Sequence, residues 1–430
     1  MTSKQKLLEK YIQKYISKSH FPQQNKTQIT LHTPFLQKWI EKISQPPPLE
    51  FQQPQIQHQK PKHPNMYNLI PETILKKEIP KLDQHTNVTF HSHGREISIF
   101  YFHTPDNIPS PLFIKRCIQV IHTLSEFAPK HCLQPPIHIY IYLTHAQKTL
   151  KHYQDFIPIS EQHANTAFTT SCDPEIKQAQ QTKTPKEIIL FRQEEVFKVL
   201  IHELFHTLGL DFSNNQPQTQ QTAQILREFL NINNLQDLRL FETYTETWAC
   251  ILNIICLSVW DTDQSKIERQ IQSRFQKEIL FSLWQASNVI HYNQTSHAHL
   301  NKKCLKPSSC FISQNKTQNK TQTNKNKTQK KTPKREYKEN TQVFCYFLLK
   351  AAVFQKIDTF ITQFPPPFHQ HHHAQNFAQF VLKAFQDTNF ANKLQKMSAI
   401  YLKYFHTHPR KEQWMFDTMR QTVNEIDILS

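Results

Sequence analysis

The chain has 430 residues, 38% of them hydrophobic, and its 51 Lys and Arg against 34 Asp and Glu leave a formal net charge of +17, which fits one large domain or two to three ordinary ones. Glycine at the usual ~7% would number about 30; there are 2, and Gly94 and Gly209 stand too far apart to form a Rossmann fingerprint or a Walker loop, so those folds are excluded together with collagen and glycine-rich linkers. Glycine, Asp and Glu share codons beginning with guanine, so their joint scarcity reads as a guanine-poor coding sequence, and the positive balance does not by itself call for a nucleic-acid partner.

Residues 4–18 repeat apolar positions at helical spacing among lysines, which predicts a short basic helix with a solvated face; no apolar secretory h-region accompanies it. Prolines 46, 47, 48, 54, 61 and 64 among glutamines predict an extended linker with no means of packing a core. Residues 1–64 therefore read as a basic helix plus a flexible segment, with order beginning near Met66. Two β-rich runs around His93-Gly94 predict a hairpin, and a helix is expected from Pro111 to Phe127. Strands are expected over 137–143, 164–170 and 187–191, the last running into a helix from Glu194 to Leu208. The later half reads as helices at 220–230, 240–260, 265–292, 342–360, 374–387 and 390–405. The apolar run Trp248 to Trp260 is far short of the ~20 residues a membrane span needs, so it reads as a buried helix. Residues 303–341 form a low-complexity Lys/Asn/Thr/Gln insertion, expected to be disordered, which divides one domain spanning 65–302 and 342–430. Its lysines suit nucleic-acid contact, but a solvated loop is the simpler reading. His369-Gln-His-His-His reads as a compositional run in a chain with 25 histidines.

The sharpest feature is His202-Glu203-Leu204-Phe205-His206. Residues four apart share a helix face, so both imidazoles can hold one Zn²⁺. Glu203, beside the first histidine, can then act as general base on a water activated at the metal. The helix is apolar on its other faces and ends at Gly209, a residue suited to a left-handed helix terminus. A catalytic zinc needs a third protein ligand and an open position. Asp211 lies one position away from the ligand ten residues after the first histidine that one zincin clan uses, and that position itself is Phe212. Glu242 and Glu246 lie one turn apart on a core-facing helix, where acids are costly unless paired or ligating.

The order HExxH followed by a helix carrying Glu242-Thr-Tyr-Thr-Glu246 resembles the gluzincin, thermolysin-like branch of the zincin metallopeptidases. That resemblance implies an α+β fold with a small mixed twisted sheet and the HExxH helix in an upper lobe, and a mainly helical lower lobe. It also implies one Zn²⁺ per chain held by His202, His206 and Glu242, with Glu203 as base and Glu246 in the place of the acid that orients a ligand histidine, where the family more often has Asp. A second register remains, with Glu246 as ligand and Ala249 as its small neighbour; Glu242 is preferred. Asn165-Thr-Ala167-Phe168 is similar to the edge strand on which such enzymes lay an extended substrate. An oxyanion needs a further donor, for which His291, His297, His299 and Tyr346 are candidates. The stretch 160–350 also resembles sequences assigned as metallopeptidases in large DNA viruses, and it carries no substrate with it beyond a peptide or protein.

Eight cysteines without a C-x-x-C pair predict reduced thiols, hence an intracellular location in host cytoplasm or virion. The rival reading is a non-enzymatic basic virion or nucleic-acid-associated protein with a structural or degenerate metal site. If coding bias strips glycine wherever another residue is tolerated, Gly94 and Gly209 should both mark positive φ.

Overall fold

The structure is a computed structural model. It describes residues 3–12, 29, 31–45, 55–57, 63–133, 135–150, 157–172, 185–213, 216–229, 238–295, 339–366, 371–407 and 412–429.

The hairpin forms where the sequence places it. Strands β2 (Gln84–Ser92) and β3 (Arg95–His103) pair from Gln84↔His103 to Ser92↔Arg95. His93 and Gly94 make the turn with φ of 51° and 76°, the double positive φ that a two-residue hairpin turn with matching twist requires. Helix Pro111–Glu126 then crosses over, its first turn capped by Ser110 Oγ accepting from Phe113 N at 3.1 Å. It delivers β4 (Ile137–Tyr142) parallel to β3. With β1 (Gln55–Gln57), β5 (Ala167–Thr169) and β6 (Lys186–Leu190) the sheet has six strands in the order β1-β2-β3-β4-β6-β5. Strands β3, β4 and β6 run parallel; β5 lies antiparallel on β6 at the sheet's end.

The strand period of two divides the core. Ile137, Ile139 and Ile141 face the main cluster with the helices, whereas Tyr140 and Tyr142 join Phe102, Ile189 and Phe191 on the other face, which Ile70, Ile74 and Ile79 cover. The HExxH helix, Val196–Thr207, follows β6 and is buried along its whole length. Against it packs the helix Leu240–Trp260, the most apolar of the long helices among the described residues, followed by Ile267–Thr295 and the helices beyond residue 343. No helix among the described residues is long and apolar enough to cross a membrane.

Four expectations need correction. Order does not begin at Met66: Pro34–Ser44 is a helix, capped by Thr33, that buries Phe35, Leu36, Trp39 and Ile43. Phe35 meets Trp248 edge-on at 5.2 Å, and Gln119 Nε2 donates to the carbonyls of Lys42, Ile43 and Gln45 at the helix end. The proline-rich stretch is not simply a linker either, because Gln55–Gln57 pairs with β2 as its edge strand. The boundary of the insertion moves inward. Residues 339–341 belong to the fold: Asn340 N donates to Ile159 O at 2.8 Å, and Thr341 Oγ1 to Asn165 Oδ1 at 3.0 Å. The remaining insertion, the His-rich tract at 369–370, and residues 13–28 lie outside the described residues. The basic helix is described over Ser3–Ile12, and there it is not wholly solvated, since Leu8 and Ile12 are buried.

Candidate metal centre

At 3.6 residues per turn, a separation of four carries His202 and His206 to one face of the HExxH helix. That face looks onto the first two turns of Leu240–Trp260, where Glu242 and Glu246 are likewise one turn apart. The Nε2 atoms of His202 and His206 lie 3.2 Å apart, and Glu242 Oε2 is 3.2 Å from the first and 3.6 Å from the second. Two ligand atoms each ~2.1 Å from a tetrahedral zinc would be separated by about 3.4 Å. The three donors therefore have the chemistry, two imidazoles and a carboxylate, and the mutual spacing that a zinc ion needs.

The opposite ring nitrogens are each held by an acid. His202 Nδ1–H donates to Glu246 Oε2 at 3.1 Å, and His206 Nδ1–H donates to Asp211 Oδ2. A carboxylate behind each Nδ1 fixes the tautomer that leaves the Nε2 lone pair free for a metal. Asp211 is fixed in turn by the backbone N–H and hydroxyl of Ser213, at 3.1 and 3.0 Å. Burial disfavours charge on both rings, yet Glu242 and Glu246 raise the pKa of His202, and Asp211 and Glu242 raise that of His206. Glu242 and Glu246 shift the other way: burial opposes their ionisation, but the histidines beside Glu242 and the lysines beside Glu246 hold both well below the usual carboxylate range. Negative charge thus gathers around two imidazoles, the arrangement a divalent cation neutralises.

Glu203 is buried but lines a small cavity of about 30 Å³ together with Asn165, Ala167, Val199, His202 and Tyr346. Burial raises its pKa. Among the described residues nothing hydrogen-bonds its carboxylate, which leaves both oxygens available to a water. Tyr346 sits on a π-helical stretch, Phe344–Leu349, and its hydroxyl donates to Glu242 Oε2 at 3.2 Å; such π-turns commonly re-aim a side chain at a functional site. Ala167 is on β5, at the sheet edge beside the cavity, whereas the Asn165 side chain is engaged by Thr341. His291 is not part of this group. Its ring packs on Tyr401 and Phe405, 5.5 and 5.2 Å away, and burial there lowers its pKa to about 4. His297 and His299 lie outside the described residues.

The layer beneath has no local signature in the sequence. Lys198, one turn before His202, donates to both oxygens of Glu246 at 2.9 Å and to Gln421 Oε1 at 2.6 Å. Lys350 Nζ is 3.5 Å from Glu246 and also donates to the Gln421 carbonyl. Lys148 pairs with Glu195 at 2.7 Å, and Glu195, at the mouth of the HExxH helix with φ 60°, accepts from the backbone N–H groups of Gln421 and Thr422. The chain's last segment is thereby tied by buried charges to the back of the site. Arg192, also buried, donates to the carbonyls of Gln162 and Asn165 at 2.6 and 2.9 Å, which fixes the approach to β5.

No family model and no solved structure matches this chain. It is similar to an uncharacterised protein of Acanthamoeba polyphaga mimivirus, 30% identical over 119 residues. The matched stretch is 27% of this chain and spans 29% of that relative's length.

Proposed function

We propose that the chain is a zinc-dependent metallopeptidase with the α+β, gluzincin-type zincin architecture. The observation that carries this reading is the convergence of His202 Nε2, His206 Nε2 and Glu242 Oε2, each imidazole backed by its own carboxylate, next to Glu203, whose carboxylate accepts no hydrogen bond among the described residues. His202, His206 and Glu242 are the zinc ligands and Glu246 is the orienting acid; this register is supported by Glu242 Oε2 lying on the Nε2 side of His202 and Glu246 Oε2 on the Nδ1 side. Zinc held there supplies a Lewis acid that polarises a carbonyl and lowers the pKa of a water. Glu203 takes the proton from the attacking water and hands it to the leaving amine nitrogen. Tyr346, whose hydroxyl already points into this group, donates to the oxyanion as charge develops there. The outer edge of β5 accepts the peptide backbone as an added strand, which presents an extended substrate to Glu203.

A purely structural ion would leave Glu203 without a task, and this favours the enzyme over the reading of a non-enzymatic basic protein. An unfolded protein substrate should be hydrolysed by the zinc-loaded chain, with activity lost on chelation and regained on adding zinc. Cleavage that survives complete removal of metal would overturn the proposal.

A further inference from the structure

The expectation of reduced thiols holds for Cys117, Cys250, Cys256 and Cys345, all free and buried, but Cys132 and Cys172 form a disulfide. Its place matters more than its presence. Cys132 closes a short turn after helix Pro111–Glu126, and Cys172 comes three residues after β5. The backbone N–H of Cys172 donates to the carbonyl of His206 at 3.0 Å. Gly209, with φ 63°, lies so close over the bridge that a Cβ there would sit 2.6 Å from Cys132 Sγ and 3.3 Å from Cys172 Cβ. Gly209 is also two residues before Asp211, which holds His206 Nδ1. The bridge therefore joins three things: the edge strand of the cleft, the end of the HExxH helix, and the turn that carries the acid behind a metal ligand. A ring nitrogen of His131 and both sulfurs lie within 4.8 Å of one another, and an imidazole beside a sulfur stabilises the thiolate that departs when a disulfide is cleaved.

We propose that Cys132–Cys172 is a thiol-exchange site through which a small-molecule thiol weakens metal binding at His202, His206 and Glu242. This rests on the zinc reading above. Both cysteines are only 1% exposed, so exchange needs a local opening, after which a thiolate of glutathione type attacks Cys172 Sγ and the Cys132 thiolate leaves beside His131. A second thiolate then attacks the mixed disulfide, releasing the Cys172 thiolate and one disulfide of the small thiol. Two electrons pass to the protein, and the two protons lost by the small thiols end on Cys132 and Cys172. Two thiols cannot occupy the space of one bridge, so the sulfurs separate against Gly209, and the turn to Asp211 moves with them. Loss of an acid behind a ligand histidine costs about 10–100-fold in metal affinity. By linkage, bound metal protects the disulfide from reduction by the same factor.

The test uses the full chain, with thiols counted by alkylation and mass and zinc affinity measured against a chromophoric chelator. With the bridge intact the chain should bind one zinc. Glutathione should expose two new thiols, at a higher ratio of reduced to oxidised glutathione when zinc is bound, and lower zinc affinity about 10–100-fold, reversibly on reoxidation. The double variant Cys132→Ser, Cys172→Ser should hold the low affinity whether or not thiol is present, and it has no freed thiols to take up zinc themselves. Unchanged affinity in the reduced wild type, or a bridge that glutathione does not open, overturns the proposal even if the double variant fails to fold. A bridged chain that binds no zinc instead overturns the metal reading on which it rests.

Discussion

Replacing Glu203 by Gln is expected to leave zinc binding intact and to lower peptide hydrolysis by about 10³–10⁴-fold, the upper part of the range for a positioned acid–base group. The amide has the carboxylate's shape but cannot take a proton at neutral pH. No hydrogen bond from Glu203 to the three metal donors is there for the substitution to break among the described residues, and Glu203 lines the cavity in which the attacking water would be deprotonated. Its burial in a pocket shared with Val199 and Ala167 means that the exchange also removes a buried negative charge, so stability should hold or rise. Kinetics on the purified variant, with metal content measured on the same sample, checks both halves. Activity near wild type with full zinc would assign the proton transfer to another group.

Lys198→Met should destabilise the fold by about 3–5 kcal/mol, the range for removing one partner of a buried ion pair. Met keeps most of the volume, so the loss reports on charge and not on a cavity. Lys198 touches both oxygens of Glu246, and burial is total at both side chains. Without it Glu246 keeps Lys350 at 3.5 Å and the His202 ring, too little to offset desolvation of a full charge. Denaturant unfolding gives the stability change. Zinc affinity should fall with it by about 10–100-fold, because the acid that fixes His202 is itself no longer fixed. A variant as stable as wild type would show that Glu246 is not held as an anion by this lysine.

The residues that local pattern reveals are those whose chemistry depends on short spacing. His202, Glu203 and His206 share a turn and a half of helix, and Glu242 and Glu246 repeat that spacing on an apolar helix, so both halves of the site are legible. Gly209 is legible for a different reason: in a chain with 2 glycines, one that survives at a helix end marks a φ of 63°. Gly94 behaves likewise, yet His93 and Glu195 adopt positive φ with no glycine to announce it.

What could not be read depends on contacts far apart in sequence. Lys198 sits in an apolar helix and looks like a solvent-facing lysine; its partners are 48 and 223 residues away. The offset of Asp211 from the first histidine suggests a metal ligand, whereas its place in the turn after Gly209 sets it behind His206, and one residue of helix-end geometry decides between those roles. Cys132 and Cys172 pair across 40 residues without a motif. The helix Pro34–Ser44 is a different kind of omission. Thr33, Pro34 and the apolar positions Phe35, Leu36, Trp39 and Ile43 carry a helix start and a buried stripe, but the proline-rich run that follows drew the whole segment into a linker. His291 shows the reverse error, a histidine taken as available for chemistry that aromatic packing had already absorbed.

The central claim is that His202, His206 and Glu242 hold one zinc. Metal content of the purified chain, wild type beside His202→Ala, tests it most directly. One equivalent of zinc in the wild type, lost in the variant while the fold persists by circular dichroism, is the expected result. A wild type that carries no zinc and takes up none when it is offered, or a variant that retains its full equivalent, would contradict the account.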